Sequence, residues 1–290
     1  MILHTIDTGY FKLDGGAMFG VVPKSIWNKL NPADANNLCT WALRCLLIED
    51  GNRLILVDTG IGNKQDDKFF SHYYLHGEHL LNDSLQAKGF SSNDITDVFL
   101  THLHFDHCGG AIIRQEGKLL PAFPNAVYWS NSSHWEWATN PNEREKASFL
   151  KENILPIQES GRLQMLQVGG GDKGGAVSRL TEIPFAEGFS IRVVNGHTNS
   201  MMLPQLIYNG KTIVFMADLL PSAAHLPIPY VMAYDMFPLT SLSEKKVFLE
   251  EALAGDYVLF FEHDPIHECC SLQKTEKGIR VKEFFKLKDL

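Results

Sequence analysis

Four side chains able to hold a metal ion fall within six residues of Thr101-His102-Leu103-His104-Phe105-Asp106-His107. The segment continues residues 95–101, an apolar run that predicts a strand, and loops at strand ends commonly carry sites. In an extended segment residues two apart point the same way, so His102 and His104 can grip one ion. Asp106 and His107 are neighbours that diverge, which suits a second ion close by. Imidazole with carboxylate is a zinc-type set, and iron, manganese and cobalt also accept it. A single histidine of this kind would be read as satisfying backbone groups. Four donors in one short segment argue for metal chemistry.

Three later residues are placed in the same manner. His197 in Asn195-Gly196-His197-Thr198, Asp218 in Met216-Ala217-Asp218 and His263 in Phe261-Glu262-His263-Asp264-Pro265 each stand just past a predicted strand. Alone, each reads equally well as a capped strand end. Together they imply strand ends gathered on one edge, converging on the first cluster. Cys108 adjoins that cluster but is expected to be a small buried thiol beside Gly109-Gly110 rather than a ligand.

The elements that must position these residues are mainly strands. Residues 44–49 and 53–58 predict a hairpin across Asp50-Gly51-Asn52, and residues 203–208 and 212–217 another across Asn209-Gly210. Residues 190–195 and 257–261 predict two more strands. Helices are expected over 142–154, over 243–253 with Ser243 as N-cap, and once or twice within 69–87. Strand groups in both halves, with helices interspersed, predict an α+β fold of two sheets packed face to face with helices outside. The glycine-rich stretch 169–175 lacks a GK[ST] ending and is expected to be a surface loop, not a phosphate cradle.

Composition narrows the function classes. The chain has 290 residues, a net charge of −8 and an ordinary 44% hydrophobic fraction, which fits one domain over residues 1–290. Basic residues are scattered apart from short groups near the carboxyl end, so nucleic acid is a poor partner. No apolar run reaches the roughly 20 residues of a membrane span, and no secretory start is evident. Five cysteines, none spaced as CxxC, argue against a disulfide framework and make the cytoplasm the default location.

With these motifs in order, the sequence resembles the metallo-β-lactamase superfamily, in which HxHxDH, a later Gly-His-Thr, an aspartate and a final histidine follow one another. The resemblance runs from Asp58-Thr59-Gly60 to His263. It implies a four-layer αββα sandwich and two zinc ions per chain. His102, His104 and His197 would hold one ion and Asp106, His107 and His263 the other, with Asp218 bridging. Within the superfamily, residues 14–23, 196–204, 217–221 and the stretch through His225 to Tyr234-Asp235 resemble N-acyl-homoserine lactonases and the related methyl parathion hydrolases.

That branch implies a small-molecule lactone substrate, opened by a hydroxide shared between the metals, with Asp106 or a metal-bound water protonating the leaving alkoxide. Those lactonases carry a tyrosine three residues after the bridging aspartate. Pro221 stands there in this chain, which leaves His225, Tyr230 or Tyr234 to contact the carbonyl. Asp58 is expected to orient a ligand histidine, and Met18, Phe19, Trp27, Met201 and Met202 to line an acyl pocket. Phosphotriester hydrolysis and a glyoxalase II-like thioesterase are the rival activities, and a non-enzymatic metal-binding module is the rival class. An apolar segment near residues 27–30 is compatible with a homodimer.

Overall fold

The computed structural model describes residues 1–78, 80–168 and 177–290, so the glycine-rich stretch 169–175 lies outside the described residues. The chain divides into two compact units, Met1–Gly9 with Leu43–Val168 and Tyr10–Ala42 with Gly169–Leu290.

One six-stranded sheet joins β1 (Ile2–Asp14), β2 (Leu38–Asp50), β3 (Arg53–Val57), β4 (Asp97–Phe99), β7 (Val127–Asn131) and β8 (Leu163–Leu166) in that order. A small hairpin of β5 (Ile112–Gln115) and β6 (Lys118–Pro121) stands apart from it. Strands β2 and β3 turn at Gly51-Asn52, with Asp50 opposite Arg53, as the turn sequence predicts. The central strands are buried along almost their whole length, and their near-continuous apolar sequences reflect cover on both faces. In the first unit, Leu47, Leu56, Val98 and Tyr128 from this sheet pack with Trp135, Phe149, Ile154 and Ile157 from the helical side.

The second sheet has seven strands, from β9 (Thr181–Ala186) and β10 (Phe189–Val194) through β11 (Met201–Tyr208), β12 (Lys211–Phe215) and β13 (Val258–Phe260) to β14 (Cys269–Thr275) and β15 (Gly278–Phe285). The β11–β12 turn is Asn209-Gly210, both at positive φ (49° and 74°), a type I′ geometry whose twist matches the flanking strands.

Helices α1 (Gly15–Phe19), α2 (Lys24–Trp27), α3 (Asp67–Phe70), α4 (Leu81–Ala87), α5 (Phe105–Cys108), α6 (Ser132–Thr139), α7 (Lys151–Glu159) and α8 (Pro238–Ala254) complete the elements. Two differ from their sequence prediction. Residues 143–148 form turns, and the helix starts only at Lys151. Asn142 Oδ1 takes the N–H groups of Arg144 and Glu145 at 2.9 and 3.1 Å, a local bond that competes with the helical ladder. α8 begins five residues before Ser243, with a proline in its first turn where the missing N–H costs nothing. Ser243 is therefore no cap; its hydroxyl receives the Val177 N–H at 2.7 Å. The predicted helical region 69–87 resolves into the short α3 and α4. Among the described residues no helix is long and apolar enough to cross a membrane.

Candidate metal centre

In the first unit β3, β4 and β7 run parallel, so their carboxyl ends share one edge. Asp58 follows β3 directly, and His102 is the third residue beyond β4. Asp58 sits at φ 56°, a left-handed conformation that is costly for a non-glycine residue and clusters at functional sites. Its fully buried carboxylate accepts the Thr101 N–H (2.8 Å) and hydroxyl (2.6 Å) and faces His107 Nδ1 at 3.1 Å. Asp58 thus orients a histidine of the cluster, the job the sequence pointed to.

The partners of each ring fix where its proton lies. A carboxylate only accepts, so His107 carries a proton on Nδ1 and turns Nε2 toward Asp106, 3.8 Å from Oδ2. His104 Nε2 faces Glu145 Oε1 at 2.9 Å, which leaves its Nδ1 bare. The Thr101 hydroxyl gives its hydrogen to Asp58, so at 3.1 Å it accepts from His102 Nδ1 and leaves His102 Nε2 bare. Yet His102 Nε2 and His104 Nδ1 lie only 3.0 Å apart. Two lone pairs aimed at each other repel unless a cation or a proton shares them.

The second unit repeats this logic. β10 and β12 are both antiparallel to β11, and β13 is parallel to β12, so all three end on one edge. His197, Asp218 and His263 are each the third residue after these strands. His197 Nδ1 donates to Asp235 Oδ1 at 2.8 Å, and His263 Nδ1 donates to the Ala42 carbonyl at 2.8 Å. Both Nε2 atoms then point at the Asp218 carboxylate, 3.1 Å from Oδ2 and 3.1 Å from Oδ1 respectively. Burial alone would lower the His197 pKa; Asp218 and Asp235 overcome it and hold the ring at about 10. Electrons that bind a proton so tightly between buried carboxylates are suited to a metal ion. Ala217, just before Asp218, is at φ 39°, another strained position.

α8 braces this half. Glu244 and Lys245 are 1% and 2% exposed, unusual for charged side chains. The Glu244 carboxylate accepts the N–H groups of Asn195 (2.7 Å) and Gly196 (3.0 Å), immediately before His197, and burial raises its pKa to about 7. Gly196 is required because a Cβ there would strike the Ser241 backbone. Lys245 Nζ donates to the carbonyls of His225 (2.7 Å), Pro227 (2.9 Å) and Tyr230 (2.8 Å), and burial lowers its pKa to about 7.

The residues proposed to contact a carbonyl fall in different surroundings. His225 is buried, Nδ1 on the Ser222 hydroxyl (2.9 Å) and Nε2 donating to the Met18 carbonyl (2.9 Å). Burial lowers its pKa to about 3, and its ring stacks on Phe19 at 4.6 Å. With both nitrogens engaged it ties α1 to its own loop and is a structural histidine in this conformation. Tyr230 is half-buried, edge-on to Phe19, and Tyr234 is exposed. Met18, Phe19, Trp27, Met201 and Met202 are all buried, so they are core and not the walls of an open pocket. Cys108 is a buried thiol bonded to the Leu103 carbonyl, its pKa pushed up to about 12 by burial.

Several positioning residues escaped the sequence reading. His134 Nε2 accepts the Leu103 N–H at 2.9 Å, between the two HxH histidines. Glu145 holds His104 and also accepts Trp137 Nε1–H at 2.6 Å. Asp235, Glu244 and Lys245 complete the set. Only Asp235 carried a signal, standing within the lactonase-like stretch.

The family model of the metallo-beta-lactamase superfamily matches residues 44–263. The chain belongs to that superfamily. An N-acyl homoserine lactonase of Bacillus thuringiensis is 28% identical over 162 residues, 52% of this chain and 57% of the relative. The match thus spans little more than half the length of that curated protein. A Staphylococcus aureus protein described as a probable metal-dependent hydrolase superposes with TM-score 0.86 at 26% identity, covering 100% of this chain and 98% of its own. A dizinc quorum-quenching lactonase solved with a product superposes at TM-score 0.76 and 22% identity, covering 98% of this chain and 95% of its own. The mixed α/β architecture expected from the sequence is therefore the fold of this superfamily, and the proteins it resembles include homoserine lactonases.

Proposed function

We propose that the chain is a metal-dependent hydrolase that opens the ring of N-acyl-homoserine lactones, its two units acting as one hydrolase domain. The observation that carries this reading is the buried ring nitrogens, crowded against each other in the first unit and against Asp218 in the second. Such an arrangement is costly without a cation and well suited to one. Family membership and the lactonase relatives supply the reaction class.

In this reading His102, His104 and His197 would hold one ion and Asp106, His107 and His263 the other, with Asp218 shared. A pair of zinc-type ions there supplies Lewis acidity at the carbonyl and a water acidic enough to attack it near neutral pH. Asp58, Glu145 and Asp235 keep the donor nitrogens aimed, a role that typically governs metal affinity. Asp106 would take the proton that the attacking water loses and pass it to the alkoxide that leaves when the ring ester breaks. Of the three residues considered for the missing tyrosine, Tyr230 and Tyr234 are the ones still able to approach a substrate carbonyl. The small-molecule lactone is neutral, as suits a chain of net charge −8.

A proton-release assay tests the proposal, since each opened ring yields one carboxylic acid. N-acyl-homoserine lactones are expected to give a higher kcat/KM than paraoxon-type phosphotriesters or glutathione thioesters. A phosphotriester outpacing every lactone would replace the assignment with organophosphate hydrolysis.

A further inference from the structure

The basic residues grouped near the carboxyl end have no place in the proposed chemistry, and the fold gives them a common location. A cavity of about 540 Å³ lies within the second unit, well inside the roughly 300–1,000 Å³ of small-molecule sites. Leu226, Ile228, Leu249 and Leu253 form much of its wall, from the loop after β12 and from α8. Leu226 and Leu249 are buried, so this wall is firm. Lys246, Lys274, Lys277 and Arg280 stand around it, the last three from the β14–β15 hairpin, with Glu250 the one carboxylate in the lining.

We infer that this cavity is a binding site for an anionic amphiphile, an alkyl chain ending in a carboxylate. Four cations against one acid, in a chain of net charge −8, are the reverse of the protein's overall balance. Among the described residues no carboxylate forms an ion pair with any of the four. A neutral lipid would leave that charge unused, and a small inorganic anion would leave the apolar wall unused. An amphiphile uses both: its chain lies along the leucines while its head meets the hairpin lysines. A concave, partly enclosed cavity also favours a single soluble molecule over a flat membrane surface. The site is separate from the Asp218 edge. The loop that walls it is tied to Lys245 through the carbonyls of His225, Pro227 and Tyr230.

The proposal holds or falls independently of the lactonase reading, because its readout is binding. Isothermal titration of the metal-loaded protein with decanoate should show one site per chain, with decanol bound about tenfold more weakly. Each methylene added from octanoate to decanoate should tighten Kd about fourfold, the equivalent of burying one CH₂. The variant Lys274→Ser/Lys277→Ser/Arg280→Ser changes only groups at the cavity rim and should keep the wild-type melting temperature. It should lose roughly tenfold in decanoate affinity and none for decanol, as exposed ion contacts are individually small. Equal affinity for decanoate and decanol, or an unaffected triple variant, would overturn the assignment. So would decanoate binding that vanishes on chelation, which would place the carboxylate at the metals. Binding to anionic vesicles without saturable decanoate binding would make the patch a membrane contact instead.

Discussion

Glu145→Gln isolates what the buried partners of the ligand histidines contribute. Glu145 is 2% exposed and its two oxygens accept from His104 Nε2 (2.9 Å) and Trp137 Nε1 (2.6 Å). A glutamine keeps the shape but offers one acceptor and one N–H₂ group, so one of these donors must face another donor. The negative charge that makes His104 Nδ1 more basic is lost as well. A hydrogen bond to a charged group contributes about 1.5–3 kcal/mol, and such partners typically change metal affinity about 10–100-fold. Those two scales agree, since a hundredfold is about 2.7 kcal/mol. The measurement is a chelator titration with metal content read by elemental analysis, beside a thermal melt of the metal-free protein. The midpoint should shift by one to two decades of chelator, with the metal-free melting temperature changing much less. An unchanged midpoint would mean that Glu145 does not act through the metal.

Asp235→Asn should weaken metal retention in the same assay, because His197 Nδ1 loses its carboxylate partner; equal retention would remove Asp235 from the site. Gly196→Ala should lower both stability and metal content, since its Cβ meets the Ser241 backbone; a wild-type melting temperature would show that α8 can shift to admit it. Lys245→Met should destabilise the fold by about 2–4 kcal/mol, as three buried carbonyls lose a charged donor. The lysine also leaves a pH signature. Its folded pKa of about 7 lies below the ordinary 10.5, so the unfolded chain holds more protons in that window and stability rises from pH 7 to 10.5. Urea melts at two pH values in that window should show a smaller rise in Lys245→Met; parallel behaviour would mean Lys245 titrates normally.

Much of the site was legible because its signals are local. Each ligand-bearing segment ends an apolar strand, and a strand's direction places its end on a definite edge. The Asn209-Gly210 and Gly51-Asn52 turns were equally plain, since few residues tolerate positive φ. The partners were hidden because they are set by tertiary contacts. Glu145 lies in a stretch rich in Glu, Lys and Ala that has the composition of a surface helix; only the folded chain brings it to His104. β1 went unread because its apolar residues are irregularly spaced: Leu3, Ile6 and Phe11 are buried, at intervals of three and five instead of two. The methionine and aromatic residues taken for an acyl pocket are core, the commoner fate of such side chains.

The proposed function requires two ions that together open a lactone. Titrating zinc into the metal-free protein while following proton release from an N-acyl-homoserine lactone tests it directly. Activity should climb until about two equivalents per chain and then level off, as a two-metal site requires, and Asp218→Ala should show no such plateau. Full activity at one equivalent, or none at any zinc concentration, would rule out a two-zinc lactonase.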